Sequence, residues 1–165
     1  MEIVDMLERR RVVICSLQET RWKSNGVSLI GSYNLFWNGQ KTAKNEVGIF
    51  IRESLAQNVL EVTRISSRLM LIKLRMGKQV LTVFSAYAPQ TGESENAKND
   101  FWNTLSDAVR KTPSSKILLI CGDLNGHVED KANGSTLSME ALATVFKKMT
   151  VYGFWNLLKA MNSPC

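Results

Sequence analysis

Short apolar runs of strand length, separated by polar or glycine-containing turns, make up most of the chain before residue 121. Continuous apolar runs indicate buried β-strands, and alternation of apolar and polar residues indicates strands with one solvated face. The segments that fit these patterns are 12–17, 33–37, 47–51, 59–65, 69–75, 80–86 and 117–121. Gly77 and Lys78 are the predicted hairpin turn before 80–86, and a polar turn is expected over 24–26.

Few segments have helical periodicity. The apolar residues near the start suit one face of a short helix that ends near Arg10, and Phe101, Leu105 and Val109 share a face of a second helix that Pro113 ends. A third helix is predicted over 138–148, whereas 151–165 shows neither a period nor a turn signal. Many strands with few helices predict an α/β fold, an antiparallel sandwich with helices on its outside.

Length and composition fit one domain, or most of one, in a reducing compartment. The 165 residues are 44% hydrophobic and 22% charged, which is ordinary for a soluble globular chain. The three cysteines are an odd number without metal-ligand spacing, and the N-terminal residues mix acidic with apolar side chains, unlike a secretory signal. We therefore expect an intracellular protein of the nucleus or cytoplasm, not a secreted or membrane one.

The basic balance of the chain favours polyanionic partners. A formal net charge of +6 and an isoelectric point near 9.4 suit nucleic acid. Lysines and arginines are nevertheless spread along the chain, so a generally basic surface without a nucleic-acid partner is the alternative explanation of the charge.

Three of the apolar strand runs end in unusual polar groups. The first is followed by Glu19, another by Tyr87, and the last by Asp123 and Asn125. If the strands are neighbours, these side chains meet at one rim, where two carboxylates and an amide are the hard oxygen ligands that suit magnesium. Each motif alone has a simpler explanation: a turn for Gly-Asp-x-Asn, a solvated strand end for Gln-Glu-Thr, and packing for a tyrosine before Ala-Pro.

Together, the three motifs resemble the endonuclease/exonuclease/phosphatase superfamily. The segments LQETRW at 17–22, SAYAPQTG at 85–92 and GDLNGHV at 122–128 are most similar to the endonuclease domains of non-LTR retrotransposons and to the craniofacial development protein 2-like group. The resemblance runs from the start of the chain to about Gly126. It implies a four-layered α/β/β/α sandwich of the DNase I type and phosphodiester cleavage on DNA with Mg²⁺ or Mn²⁺.

The resemblance also implies a role for each motif residue. Glu19 matches the metal-binding glutamate, and Tyr87 matches the tyrosine that lies beside the scissile phosphate. Asp123 matches the aspartate that transfers a proton, and Asn125 matches the asparagine that holds the phosphate. The predicted metal ligands are Glu19, Asp123 and Asn125, and the predicted catalytic residues are Tyr87, Asp123 and Asn125.

The sequence departs from this superfamily in two places. Family members begin with a strand that carries an asparagine, and they end with strands that carry an aspartate and a Ser-Asp-His motif. Here Met1 opens in the predicted helix, no Asp-His pair occurs, and the single histidine, His127, follows the Asn125 motif. The expected domain is therefore a partial one over 1–150, without the first and the C-terminal strands, followed by an unassigned tail over 151–165.

Three functions remain open on this basis. The first is an endonuclease-type phosphodiesterase domain with impaired catalysis, because the Asp-His pair is missing. The second is a non-catalytic retroelement remnant that binds nucleic acid or a protein partner. The third is a phosphatase or sphingomyelinase specificity, which the retroelement-like flanks of the motifs disfavour. The oligomeric state does not follow from the sequence.

Overall fold

The computed structural model describes residues 2–39, 46–113 and 117–124. Within these ranges, eight strands and three helices follow one another along the chain. Their order is α1 Glu2–Arg9, β1 Ile14–Gln18, β2 Asn25–Ile30, β3 Tyr33–Asn38, β4 Val47–Arg52, α2 Glu53–Ala56, β5 Val59–Ser66, β6 Leu69–Met76, β7 Gln79–Tyr87, α3 Glu95–Arg110 and β8 Ile117–Asp123. None of the described helices is both long enough and apolar enough to cross a membrane.

The strands form two four-stranded sheets. The first has the order β1-β4-β3-β2 and is antiparallel throughout. The second has the order β5-β6-β7-β8, in which β7 and β8 are parallel. The expectation of a wholly antiparallel sandwich is therefore wrong at this pair. Parallel neighbours need a long crossover connection, and α3 lies in that connection between β7 and β8.

Apolar packing defines four layers. The two sheets pack face to face through a core that includes Ile49 and Ile51 of the first sheet and Ile72 and Val83 of the second. On the outer face of the first sheet, Phe50 packs with residues of α1. The outer face of the second sheet packs against α3 through residues such as Phe84 and Leu105. The α/β/β/α arrangement predicted from the sequence is thus confirmed.

Burial on both faces explains why some strands are continuous apolar runs. In β4, Ile49 and Ile51 face the other sheet, and Phe50 between them faces α1; all three are fully buried. At the predicted hairpin, Gly77 joins β6 to β7 with a positive φ of 62°, a conformation that glycine adopts without steric cost.

Two elements differ from the sequence-based expectation. The turn predicted over 24–26 overlaps β2, a strand that had not been predicted, and the short helix α2 had not been predicted either. Asn25 and Gly26 are typical turn residues, but Gly26 packs against the ring of Trp37 and pairs with it across the ladder. Pairing with β3 therefore overrides the local turn signal. The helix predicted over 138–148 and the tail over 151–165 lie outside the described residues.

A candidate active site at one end of the sandwich

The ends of β1, β7 and β8 lie together at one end of the sandwich. Across the two sheets, the Ser16 hydroxyl lies 2.6 Å from the Ser85 hydroxyl. The Ser85 hydroxyl also donates to the Gly48 carbonyl at 3.2 Å, and the Gln18 amide donates to Ser16 at 2.9 Å. Because Ser85 is fully buried, these hydrogen bonds satisfy polar groups that water does not reach, and they tie β1 to β7 just below the site.

Glu19 and Tyr87 meet above this polar link. The Tyr87 hydroxyl donates a hydrogen bond to Glu19 Oε1 at 2.8 Å, although the two residues are 68 positions apart. Tyr87 is 6% exposed, whereas Glu19 is exposed and has a positive φ of 54°. Among the described residues, Oε2 of Glu19 has no hydrogen-bond partner, so one carboxylate oxygen remains open to a ligand.

The environment of Tyr87 keeps its phenol protonated. The hydrogen bond to Glu19 raises the pKa of Tyr87, and burial raises it further, because both disfavour the phenolate. The side chain of Gln90 and the charge of Arg68 act in the opposite direction but do not cancel the rise in pKa. At neutral pH, Tyr87 is therefore a hydrogen-bond donor.

Asp123 is the neighbour of Tyr87 in the parallel ladder. The two residues are paired in register, and the Asp123 carbonyl accepts a hydrogen bond from the Ala88 amide at 2.8 Å. Asp123 is exposed and is the last residue of β8. Before it, Gly122 has a φ of 133°, and a β-carbon at this position would overlap the Ala86 carbonyl oxygen. The glycine thus allows the close strand approach that places Asp123 beside Tyr87.

Two charged residues that the sequence motifs did not reveal lie near these side chains. Arg68, in the turn between β5 and β6, donates to the Tyr87 carbonyl at 3.2 Å, and its guanidinium lies 5.4 Å from the Tyr87 ring. Glu46 is fully buried just before β4, where its Oε2 accepts a 3.5 Å hydrogen bond from Thr20. Neither residue stands in a recognisable motif, so contacts between distant segments are what reveal them.

Of the four residues predicted to form the site, the structure brings Glu19, Tyr87 and Asp123 to the same end of the sandwich. Asn125 and His127 lie outside the described residues. Within those residues, no group of three or more His, Cys, Asp or Glu side chains is arranged to hold a metal ion. The donor chemistry nevertheless fits a hard cation, since magnesium in proteins is often held by one or two carboxylates together with water and substrate oxygens.

Comparison with known proteins identifies the fold. No protein-family model and no curated protein sequence matches the chain. Among solved structures, humanized D. rerio TDP2 matches with a TM-score of 0.59 at 17% identity over 87% of this chain and 61% of that one. The endonuclease domain of TRAS1, a telomere-specific non-LTR retrotransposon, matches with a TM-score of 0.57 at 12% identity, covering 89% and 63% of the two chains. The chain has a DNase I-like fold.

This is the fold of the endonuclease/exonuclease/phosphatase superfamily, so the resemblance inferred from the three motifs is confirmed at the level of fold. The AP endonuclease LMAP from Leishmania major has the same fold, with a TM-score of 0.52 at 11% identity over 87% of this chain. The chain spans 61%, 63% and 58% of the lengths of these three structures. The DNase I-like fold is therefore present here over less than two-thirds of the length of each of them.

Proposed function

We propose that the chain is an endonuclease-type phosphodiesterase domain that acts on DNA with a divalent metal ion. One observation carries the proposal: the Tyr87 hydroxyl contacts the Glu19 carboxylate at 2.8 Å, at the end of the sandwich where Asp123 is paired with Tyr87. This proximity of residues from three strand-end motifs supports one shared site. The matching structures support a DNA substrate, since one of them is D. rerio TDP2 complexed with a single strand DNA product.

In this proposal Glu19 and Asp123, together with Asn125, hold Mg²⁺ or Mn²⁺. Glu19 is suited to the role because it is exposed and one of its oxygens has no partner among the described residues. When bound, the ion stabilises the negative charge that develops on the phosphodiester. Both carboxylates are hard oxygen donors, the ligand type that suits magnesium.

Tyr87 and Asp123 then have separate tasks at the phosphate. When a phosphate binds, the protonated phenol of Tyr87 exchanges its hydrogen bond to Glu19 Oε1 for one to a non-bridging phosphate oxygen. A water oxygen attacks phosphorus and gives a proton to the Asp123 carboxylate, the bond from phosphorus to the leaving sugar oxygen breaks, and that oxygen takes a proton from solvent water. Asp123, exposed beside Tyr87, serves the proton transfer from the attacking water, a task worth about 10² to 10⁴ in rate when the group is well positioned.

Turnover by this chain on its own should be low. The 165-residue sequence contains no Asp-His pair, and its single histidine, His127, follows the Asn125 motif. In the superfamily that the motifs resemble, the pair serves the attacking water and the metal. Groups that act as a unit fail together, so we expect a rate on the order of 10³-fold or more below that of a complete enzyme.

Nicking of supercoiled plasmid tests the activity. With Mg²⁺ or Mn²⁺ we expect trace nicking that EDTA abolishes and that both Glu19→Ala and Asp123→Ala remove. Glu61→Ala is the matched control, because Glu61 is a partly exposed carboxylate whose ion pair with Lys73 lies on β5 and β6. Robust nicking by the wild type that is abolished in both Glu19→Ala and Asp123→Ala would show that catalysis is not impaired. Nicking that survives both substitutions would show a contaminant and no activity of this site.

Metal binding can be tested without turnover. The chain contains three tyrosines, so selective isotope labelling of tyrosine yields three ring signals in an NMR spectrum. The signal that is missing from the spectrum of the Tyr87→Phe variant belongs to Tyr87. Paramagnetic Mn²⁺ should broaden the Tyr87 signal before the Tyr33 signal, because the Tyr87 phenol contacts Glu19 and Tyr33 pairs with Arg52 at the opposite end of its sheet. Glu19→Gln should remove the effect, and Glu61→Gln should leave it unchanged. Equal broadening of the Tyr33 and Tyr87 signals would rule out a specific site.

The absence of an Asp-His pair also favours a second candidate, a non-catalytic remnant that binds nucleic acid or a protein partner. The same measurement separates the two proposals. A phosphodiesterase site requires selective Mn²⁺ broadening at Tyr87, whereas a remnant retained for binding needs none. Salt-sensitive DNA binding without Mn²⁺ broadening would support the remnant.

A further inference from the structure

Arg68 is a charged residue that is largely removed from water beside the candidate site. Its side chain is 14% exposed, and it lies in the turn before β6. Nη1 donates to the main-chain carbonyl of Tyr87 at 3.2 Å, while the Arg68 carbonyl accepts from the Tyr87 amide at 2.9 Å. The guanidinium also lies 5.4 Å from the centre of the Tyr87 ring, within the range of a cation–π interaction.

The same guanidinium holds the segment that follows Tyr87. Nη2 of Arg68 donates to both carboxylate oxygens of Glu93, at 2.9 and 3.0 Å. Glu93 closes its own turn, since its amide donates to the Gln90 carbonyl at 3.0 Å and its Oε1 accepts from the Gln90 amide at 3.4 Å. One side chain therefore links the main chain of Tyr87, the ring of Tyr87 and the loop that leads to α3.

We propose that Arg68, paired with Glu93, is a positioning residue that holds Tyr87 so that its hydroxyl meets Glu19. The consequence for catalysis rests on the proposed function, because the orientation of the Tyr87 hydroxyl affects a reaction only if a phosphate binds beside it. The positional effect itself concerns the Tyr87–Glu19 contact and can be measured without substrate or metal.

Geometry gives the reason for this role. Tyr87 is the last residue of β7, and beyond the hydrogen bond from the Ala88 amide to the Asp123 carbonyl the chain leaves the ladder. Its phenol oxygen stands at the far end of a long side chain, where a small rotation of the main chain becomes a large displacement. The planar guanidinium contacts carbonyl, ring and carboxylate at once, and a lysine ammonium lacks that planar fork. A misplacement of about 1 Å can cost about 10²-fold in rate.

A comparison within the protein separates positioning from general stabilisation. Lys73 and Glu61 form an ion pair with the same 2.9 Å separation on β5 and β6, but their hydrogen bonds do not involve Tyr87. Their side chains are 34% and 48% exposed, a setting in which an ion pair contributes little to stability. Lys73→Met is therefore the matched control for Arg68→Met.

The test measures how Glu19→Gln changes the NMR chemical shift of the Tyr87 ring in the isotope-labelled 165-residue chain. In the wild-type background this substitution should shift the Tyr87 signal, because it changes the acceptor of the phenol hydrogen bond. In the Arg68→Met background the shift should be lost, whereas in the Lys73→Met background it should persist. Arg68→Lys should fold like the wild type yet lose the shift. A lysine ammonium keeps the positive charge but lacks the planar set of N–H donors that contacts Tyr87 and Glu93 together.

The outcomes distinguish this inference from the proposed function. If the shift persists unchanged in Arg68→Lys and Arg68→Met, Arg68 does not position Tyr87 and the inference is wrong. If Arg68→Met does not fold, the response of the Tyr87 signal to Glu19→Gln is measured in Arg68→Lys and Glu93→Gln instead. Loss of the shift in these variants supports the inference, and an unchanged shift contradicts it. Absence of Mn²⁺ broadening in the wild type would overturn the metal site of the proposed function without changing the Arg68 result. With DNA as substrate, Arg68→Lys should lower kcat and leave the urea midpoint unchanged.

Discussion

Gly122 shows how a single residue without a functional side chain shapes the site. It directly precedes Asp123, has a φ of 133°, and faces the main chain of Ala86 so closely that a β-carbon would overlap it. The glycine in the Gly-Asp-Leu-Asn motif is therefore explained by steric contact between β7 and β8. Asp123 occupies its position beside Tyr87 because the residue before it has no side chain.

Replacing Gly122 by alanine should destabilise the protein by at least about 3 kcal/mol, because backbone strain and a main-chain overlap add together. Urea unfolding measures the loss. Two glycines serve as controls, since a β-carbon at Gly77 or at Gly92 would meet no atom within 4 Å. Gly77→Ala should cost about 1 to 2 kcal/mol, because its φ is 62°. Gly92→Ala should cost almost nothing; equal losses at Gly77 and Gly122 would contradict the steric explanation.

The partly buried thiol of Cys121 leads to a pH-dependent prediction. Burial, and to a smaller extent the nearby Cys15, raises its pKa from the ordinary 9.0 to about 11. At about pH 8 roughly a thousandth of this thiol is thiolate, so alkylation by iodoacetamide should be slow and should accelerate about tenfold per pH unit. Peptide mass spectrometry of the alkylated protein measures the rate. Modification of folded protein at the rate of a free thiol would contradict the burial of Cys121.

The same shift in pKa makes the free energy of unfolding depend on pH. The folded state binds the Cys121 proton more tightly than the unfolded state, so this contribution is fully present below pH 9.0 and is lost as the pH rises through about 11. Urea midpoints should therefore fall across that window, and Cys121→Ala should reduce the fall. Burial raises the pKa of Cys15 in the same direction, so a smaller decline should remain in the variant.

At the scale of the elements, α3 connects the candidate site to the rest of the fold. It spans the connection between β7, which ends in Tyr87, and β8, which ends in Asp123. Its buried face includes Phe101 and Leu105, which pack on the outer side of the second sheet. At its N-terminus, the Ser94 side chain accepts a hydrogen bond from the Ala97 amide at 3.2 Å. The start of the helix is thus capped beside the loop that Glu93 ties to Arg68.

Removing this cap should destabilise the protein by about 1 kcal/mol. In Ser94→Ala, one amide in the first turn of α3 loses its side-chain acceptor, whereas Ser94→Asp keeps an acceptor and adds a favourable charge there. Ser54→Ala is a control, because Ser54 is exposed in α2 and its side chain makes no hydrogen bond that the structure shows. The measurement is the urea midpoint; an equal loss for Ser54→Ala and Ser94→Ala would rule out a capping contribution.

At the scale of the whole molecule, the net charge of +6 leads us to expect electrostatic binding to DNA. Binding should weaken steeply between about 50 and about 200 mM salt, because each neutralised phosphate releases condensed counterions. Fluorescence anisotropy with a labelled duplex measures the slope. Arg21→Gln and Lys23→Gln, at exposed positions that follow Glu19, should each reduce the slope by about one if they contact phosphates. Arg9→Gln, at the exposed last residue of α1, is a control. Affinity that does not change with salt would remove the electrostatic explanation.

The residues of the candidate site were recognisable from the sequence because their signal is local. Each of Glu19, Tyr87 and Asp123 follows an apolar strand run within a short motif. Periodicity likewise predicted most strands, the first helix and α3, since alternation and helical spacing depend on near neighbours in the chain. A sandwich with helices on its outside followed from the same patterns, and its four layers followed from the family resemblance.

The spatial relations were decided by the tertiary structure, because they depend on pairing between distant segments. Ladder hydrogen bonds with β3 make a strand of Asn25–Ile30 despite its turn residues, and α3 makes β8 parallel to β7. The hydrogen bond between Tyr87 and Glu19, and the contact of Arg68 with both Tyr87 and Glu93, likewise join separate segments. The sequence by itself determined which groups can do chemistry and which strands carry them. The packing of the two sheets decided which of those groups meet, because contacts across a sandwich leave no periodic trace in a single chain.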